Sequence, residues 1–84
     1  MKKETIDLFF STKTLQIFLK MDEEDYVANI RHKVGCMYSY TTAKMRAFEK
    51  LGLVTSERKG RVVWYKLTDR GRVLREKLKD LVEG

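Results

Sequence analysis

The stretch that most constrains this 84-residue chain runs from Tyr38 to Leu67, YSYTTAKMRAFEKLGLVTSERKGRVVWYKL. Its hydrophobic period changes once, and a glycine stands at the change. Thr41, Met45, Phe48 and Leu51 recur at helical spacing and mark one buried stripe. Ser39 is placed to cap that helix, since its hydroxyl can accept from an otherwise unpaired amide of the first turn. Gly52 offers the left-handed backbone that ends a helix, with apolar Leu53-Val54 directly behind it. Past that point the period falls to 2. Val54, Ser56 and Arg58 alternate on one strand, and Val63, Tyr65 and Leu67 on another. Lys59-Gly60 with Arg61 supplies the tight turn between them.

Upstream, Glu4 to Phe10 reads either as a short helix or as the lead-in to the next one, apolar on one side through Ile6, Phe9 and Phe10. Ser11 or Thr12 caps a helix reaching about Met21, with Leu15, Phe18 and Leu19 inward and Ile17 flanking them. The acidic run Asp22 to Asp25 breaks the periodicity and reads as a solvated loop. Tyr26 to Val34 is a second helix, with Val27, Ile30 and Val34 on one face and Gly35 as its stop. Cys36-Met37-Tyr38 makes a short turn into the next helix, the spacing of a helix-turn-helix. Downstream, Thr68 caps a last helix over residues 68–82, with Asp69 favourable in its first turn. Leu74, Leu78 and Leu81 form its main stripe, flanked by Val73 and Val82.

A chain this short makes one domain over 1–84, burying about 60–65% of its unfolded surface. The expected class is mainly α with a small β-hairpin. The net charge of +6 is unevenly spread. Residues 1–30 carry a net −2, residues 31–72 a net +8, and residues 73–84 are balanced. A basic block inside a folded domain points to a polyanion, most often nucleic acid. One cysteine, Cys36, excludes a disulfide within the chain, and no apolar run approaches the roughly 20 residues of a membrane span. The simplest expectation is a cytoplasmic protein without a membrane partner.

Residues 48–71, FEKLGLVTSERKGRVVWYKLTDRG, resemble the winged helix-turn-helix regulators of bacteria and archaea, particularly the MarR-like and ArsR-like groups. The matching features are Phe48, the Leu51-Gly52-Leu53-Val54 step, a basic wing at 57–62, and Leu67-Thr68-Asp69-Arg70-Gly71. More loosely, the likeness extends over residues 11–82. It implies a winged helix-turn-helix whose second helix of the pair reads DNA while the hairpin acts as the wing. Two departures stand out. Ala43 falls where such repressors often carry arginine, and the cysteine-rich metal motif of the arsenic sensors is absent.

On this reading the DNA contacts fall to Tyr38, Ser39, Tyr40, Thr42, Lys44 and Arg46 on the helix, and to Arg58, Lys59 and Arg61 on the wing. Ser39 could instead only cap its helix, and the wing cations could merely keep the hairpin soluble. Trp64, on the strand face opposite Tyr65, is either a dimer contact or covered by the wing itself. His32 reads as a solvated helix residue and Cys36 as a small apolar group in the turn. Enzymes are excluded on inventory: one histidine, one cysteine, no phosphate-binding glycine loop and no carboxylate pair in a cleft. Cys36 and His32 cannot make a four-ligand metal site, so no cofactor is expected and no small-molecule ligand is evident. The function expected is a sequence-specific, double-stranded-DNA-binding transcription regulator, a repressor occupying its promoter as a homodimer. The competing function is a winged-helix module that docks on transcription or replication machinery or binds RNA. Outward Val62 and Trp64 would favour that, and the cationic block favours DNA.

Overall fold

The computed structural model describes residues 11–83. The expectation for Glu4 to Phe10 lies outside the described residues. The order is α1 (Thr12–Lys20), β1 (Glu24–Tyr26), α2 (Val27–Val34), α3 (Tyr38–Lys50), β2 (Val54–Lys59), β3 (Val62–Leu67) and α4 (Asp69–Glu83). The strands form one antiparallel sheet in the order β1-β3-β2. Among the described residues, four helices beside a three-stranded sheet with a long hairpin make an α+β, winged helix-turn-helix architecture.

α3 folds as its period predicts. Thr41, Met45 and Phe48 are buried, and Phe48 meets Phe18 of α1 edge-to-face with ring centroids 5.1 Å apart. The helix ends in a Schellman motif: Gly52, at φ 76°, donates to the Glu49 carbonyl and Leu53 to that of Phe48. Its start differs from the expectation. Tyr38 is already helical, Met37 occupies the cap position, and no side chain caps the helix, so Ser39 sits exposed inside the first turn. Buried Thr41 has its hydroxyl satisfied, donating to the Met37 carbonyl at 2.9 Å. Having spent its proton there, it accepts from the Cys36 thiol, Sγ to Oγ1 being 2.9 Å.

The acidic run departs most from expectation. Glu24 and Asp25 belong to a strand rather than a loop, with Asp25 opposite Tyr65 in the register. Asp25 is 1% exposed. Its two oxygens accept from the amides of Asp22 and Tyr26, from Asn29 Nδ2 and from Lys33 Nζ, all at 2.8–2.9 Å. A buried carboxylate is tolerated when it is paired and fully hydrogen-bonded, and here both conditions hold.

Two helices also differ in phase. In α1, Ile17 and Phe18 are the fully buried pair while Leu15 and Leu19 are partly covered, because Phe48 of α3 draws the 17–18 edge inward. In α4, Leu78 is buried and Leu74 half-buried, but Leu81, Val73 and Val82 are exposed. Leu81 is therefore no part of the domain's own core. Thr68 caps α4 as expected, accepting from the Gly71 amide at 3.0 Å and donating to the Gly52 carbonyl at 2.7 Å.

Candidate nucleic-acid interface

α3 and the β2–β3 hairpin set the geometry of the basic block. The core stripe of α3 leaves Ser39, Ala43, Arg46 and Lys50 on its exposed side. Tyr38 and Thr42 lie on the flank facing the hairpin, and Tyr40 and Lys44 on the flank facing α1. Two residues per strand face suffice to divide the hairpin as well. Arg58 pairs with Val63 and shares the face of Tyr65, whereas Lys59 pairs with Val62 and shares the face of Trp64.

These placements sort the predicted contact residues into three sets. Tyr38, Thr42 and Arg46 line one groove with Arg61 of the hairpin tip. Val62, Val63 and Tyr65 form its hairpin wall, and the first turn of α2 closes its end. Its volume is about 330 Å³. Tyr40 and Lys44 are turned away from that groove. The Tyr40 hydroxyl bonds to Ser11 Oγ at 3.2 Å and Thr14 Oγ1 at 3.0 Å, and these two hydroxyls, helped by Lys44, draw its phenol below the usual tyrosine value. Lys44 Nζ lies 5.1 Å from the centre of that ring. Lys59 stands on the far face of the sheet, 2.9 Å from Glu24 Oε1 and 5.8 Å from the centre of the Trp64 ring. Ser39 and Arg58 are exposed, the latter donating to the Gly60 carbonyl at 3.3 Å.

Trp64 is half-covered by its own domain, packed edge-on against Tyr26 of β1 at 4.8 Å as well as under Lys59. Neither Tyr26 nor the α2 first turn was legible as part of the groove, because a strand of three residues shows no period. Tyr65 also borders it, though its alternation marks it only as core; burial pushes its phenol up.

The acids are spent elsewhere. Asp22 and Asp25 pair with Lys33, Glu23 with Arg72 and Arg75, and Glu24 with Lys59. Glu49, on α3, accepts from the Ser56 hydroxyl at 2.5 Å. Among the described residues, Arg46, Arg58 and Arg61 have no ion-pair partner. The result is a basic surface on which Arg46, Arg58 and Arg61 carry no ion pair, with Glu49 and Glu57 as the acids of α3 and β2 beside them. Among the described residues no group of three or more His, Cys, Asp or Glu could hold a metal ion, and no helix is long and apolar enough to cross a membrane.

Comparison with known proteins places this geometry in a fold shared with winged helix-turn-helix regulators. An uncharacterized protein of Archaeoglobus fulgidus is 29% identical over 89 aligned positions, covering 99% of this chain and 94% of that one. A crystal structure of a protein from the same organism superposes with a TM-score of 0.82 at 27% identity, covering 94% and 93% of the two chains. A DNA-binding protein from Sulfolobus solfataricus superposes at 0.76 with 15% identity, covering 87% and 79%. The homodimeric winged helix-turn-helix DNA-binding domain of a Mycobacterium bovis protein superposes at 0.75 with 20% identity, covering 95% and 76%. No family model matches the chain. The chain thus has the winged helix-turn-helix fold, and the resemblance seen in residues 48–71 holds over the whole described domain.

Proposed function

We propose that this protein is a transcription regulator that binds double-stranded DNA, acting as a dimer by occupying its promoter. The observation that carries this reading is the basic surface where α3 and the hairpin meet, on which Arg46, Arg58 and Arg61 make no ion pair. An exposed helix face with short Ser39 and Ala43 beside Arg46 and Lys50 lets the helix backbone approach a major groove closely. The solved neighbours described as DNA-binding lend the same reading support. The dimer reading is supported by the exposed apolar band on α4 and by the homodimeric neighbour.

Cations that neutralise phosphates release counterions, so binding must weaken with salt. If a dimer engages about six phosphates, log K should fall with log[salt] at a slope near −5. Fluorescence anisotropy on labelled duplexes across a salt series measures this. A flat response, or no binding at low salt, would sink the DNA reading. Exposed Val62 and Val63 on the hairpin favour the second reading, a protein-docking module. That reading expects Val62→Ser to abolish partner binding while leaving the salt slope unchanged.

A further inference from the structure

Among the described residues, Lys59 is the one cation of the hairpin tip held by an acid, and that acid is not the nearest in the register. Glu57 stands two positions back on the same strand and face. Glu24, for its part, has Lys66 directly opposite. Lys59 nevertheless runs back across the sheet to Glu24 of β1, with Nζ 2.9 Å from Oε1. The register shows how far it reaches. Lys59 pairs with Val62 beside the turn, whereas Glu24 pairs with Lys66, four positions down β3. Trp64 lies midway on the same face, and Lys59 passes over it with Nζ 5.8 Å from the ring centre. Tyr26, edge-on to that ring at 4.8 Å, walls the indole on the β1 side. The lysine is therefore a strap from the hairpin tip to β1, laid over an indole. Both ends register the pairing: Lys59 holds the Glu24 carboxyl below its ordinary value, and Glu24 holds the ammonium above its own. An ammonium is a compact point charge, so it cannot stay on Glu24 and also meet an anion at the tip.

We propose that Glu24 is a built-in competitor of DNA for Lys59: it straps the lysine back over Trp64, so binding that engages Lys59 must open the strap. This rests on the DNA-binding reading above and adds a restraint on it, from the sheet face turned away from α3. By linkage, whatever releases the lysine favours binding, and binding favours release. The two side chains are 50% and 42% exposed, so the restraint is modest and reversible rather than a lock. Rising salt loosens it along with the DNA contacts.

Two measurements on the intact chain test the strap. Trp64 is the chain's only tryptophan, so its emission reports whether Lys59 lies over it. In the free protein at low salt, Glu24→Gln and Lys59→Ala should shift that emission in the same direction. Adding duplex should shift wild type likewise and leave Glu24→Gln nearly unmoved. The second measurement is a mutant cycle on a fixed random duplex at low salt, comparing wild type, Glu24→Gln, Lys59→Ala and the double variant. Glu24→Gln should bind about two- to fivefold tighter per subunit, and Lys59→Ala should cost more in that background than in wild type by the same factor. Removing an acid also raises affinity through general charge. Glu57→Gln, on the same face, measures that part, and its gain should change little when Lys59 is absent. Equal costs of Lys59→Ala in both backgrounds would overturn the proposal. So would weaker binding by Glu24→Gln, which would make the strap a brace that readies the wing. An emission unmoved by Glu24→Gln would also overturn it, since the strap would then be absent in solution. If wild type binds no duplex at any salt, the DNA reading falls and the proposal with it, whereas binding without coupling removes the proposal alone.

Discussion

Burial alone pushes the Asp25 carboxyl up, but the Asp22 amide, Asn29, Lys33 and the Tyr26 amide together hold it below the usual carboxylate value. The balance matters because those four donors come from three places: the β1 approach, β1 itself and α2. One side chain therefore ties the turn after α1 to the start of the helix-turn-helix. Asp25→Ala would leave Lys33 and three other donors without their acceptor, at a cost of about 3 kcal/mol, read from urea unfolding at pH 7. The pH dependence follows from the direction of the shift. A carboxyl held lower in the folded chain binds fewer protons there than when unfolded, so its stabilisation is complete above the ordinary value of about 4 and is lost as pH falls below it. Asp25→Asn should therefore flatten the wild-type loss of stability in that acid window. An unchanged acid slope in Asp25→Asn would show that the carboxyl is not linked to folding.

At the scale of the element, α4 approaches α3's end so closely that only glycine fits at position 71. A Cβ there would lie 2.0 Å from the Leu53 carbonyl oxygen, which is backbone and cannot swing aside. Alanine would raise helix propensity by up to about 1 kcal/mol, but the clash forces α4 to shift and should cost more, leaving a net loss of about 2 kcal/mol. Gly60→Ala is the comparison. Its site is open and its only penalty is the φ of 64°, worth about 1 kcal/mol, so its melting temperature should fall less than that of Gly71→Ala. The Leu-Thr-Asp-x-Gly pattern made Gly71 visible in the sequence without giving its reason. α3 was legible because thirteen residues show three turns of stripe, and the hairpin because Gly60 marks its turn. β1 was not, since three residues carry no period, and the partner of Lys59 was lost with it. The sequence therefore named the cations of the proposed interface but not the acid that holds Lys59. That depends on a sheet register whose third strand is hidden in an acidic run.

For the whole molecule, α4 poses the remaining question. Its apolar band continues past the core on both sides, leaving Val73 55%, Val82 58% and Leu81 78% exposed. A helix covering only its own domain would need Leu78 and Leu74 alone, so the surplus calls for a second surface. A two-fold partner supplies one, and it would present two α3 helices about 34 Å apart, one turn of DNA. Leu81→Glu tests this cleanly, because the side chain makes no core contact whose loss could unfold the domain. Light scattering at tens of micromolar should show a dimer for wild type and a monomer for the variant, with melting of the isolated domain little changed. Its DNA affinity should drop at least tenfold as the gain from linked half-sites disappears. The salt slope should then halve, from near −5 to about −2.5, because each monomer neutralises only its own phosphates. If wild type is already a monomer and Leu81→Glu destabilises it, the band is covered by the chain itself. Promoter occupancy by a two-fold dimer would then have to be abandoned.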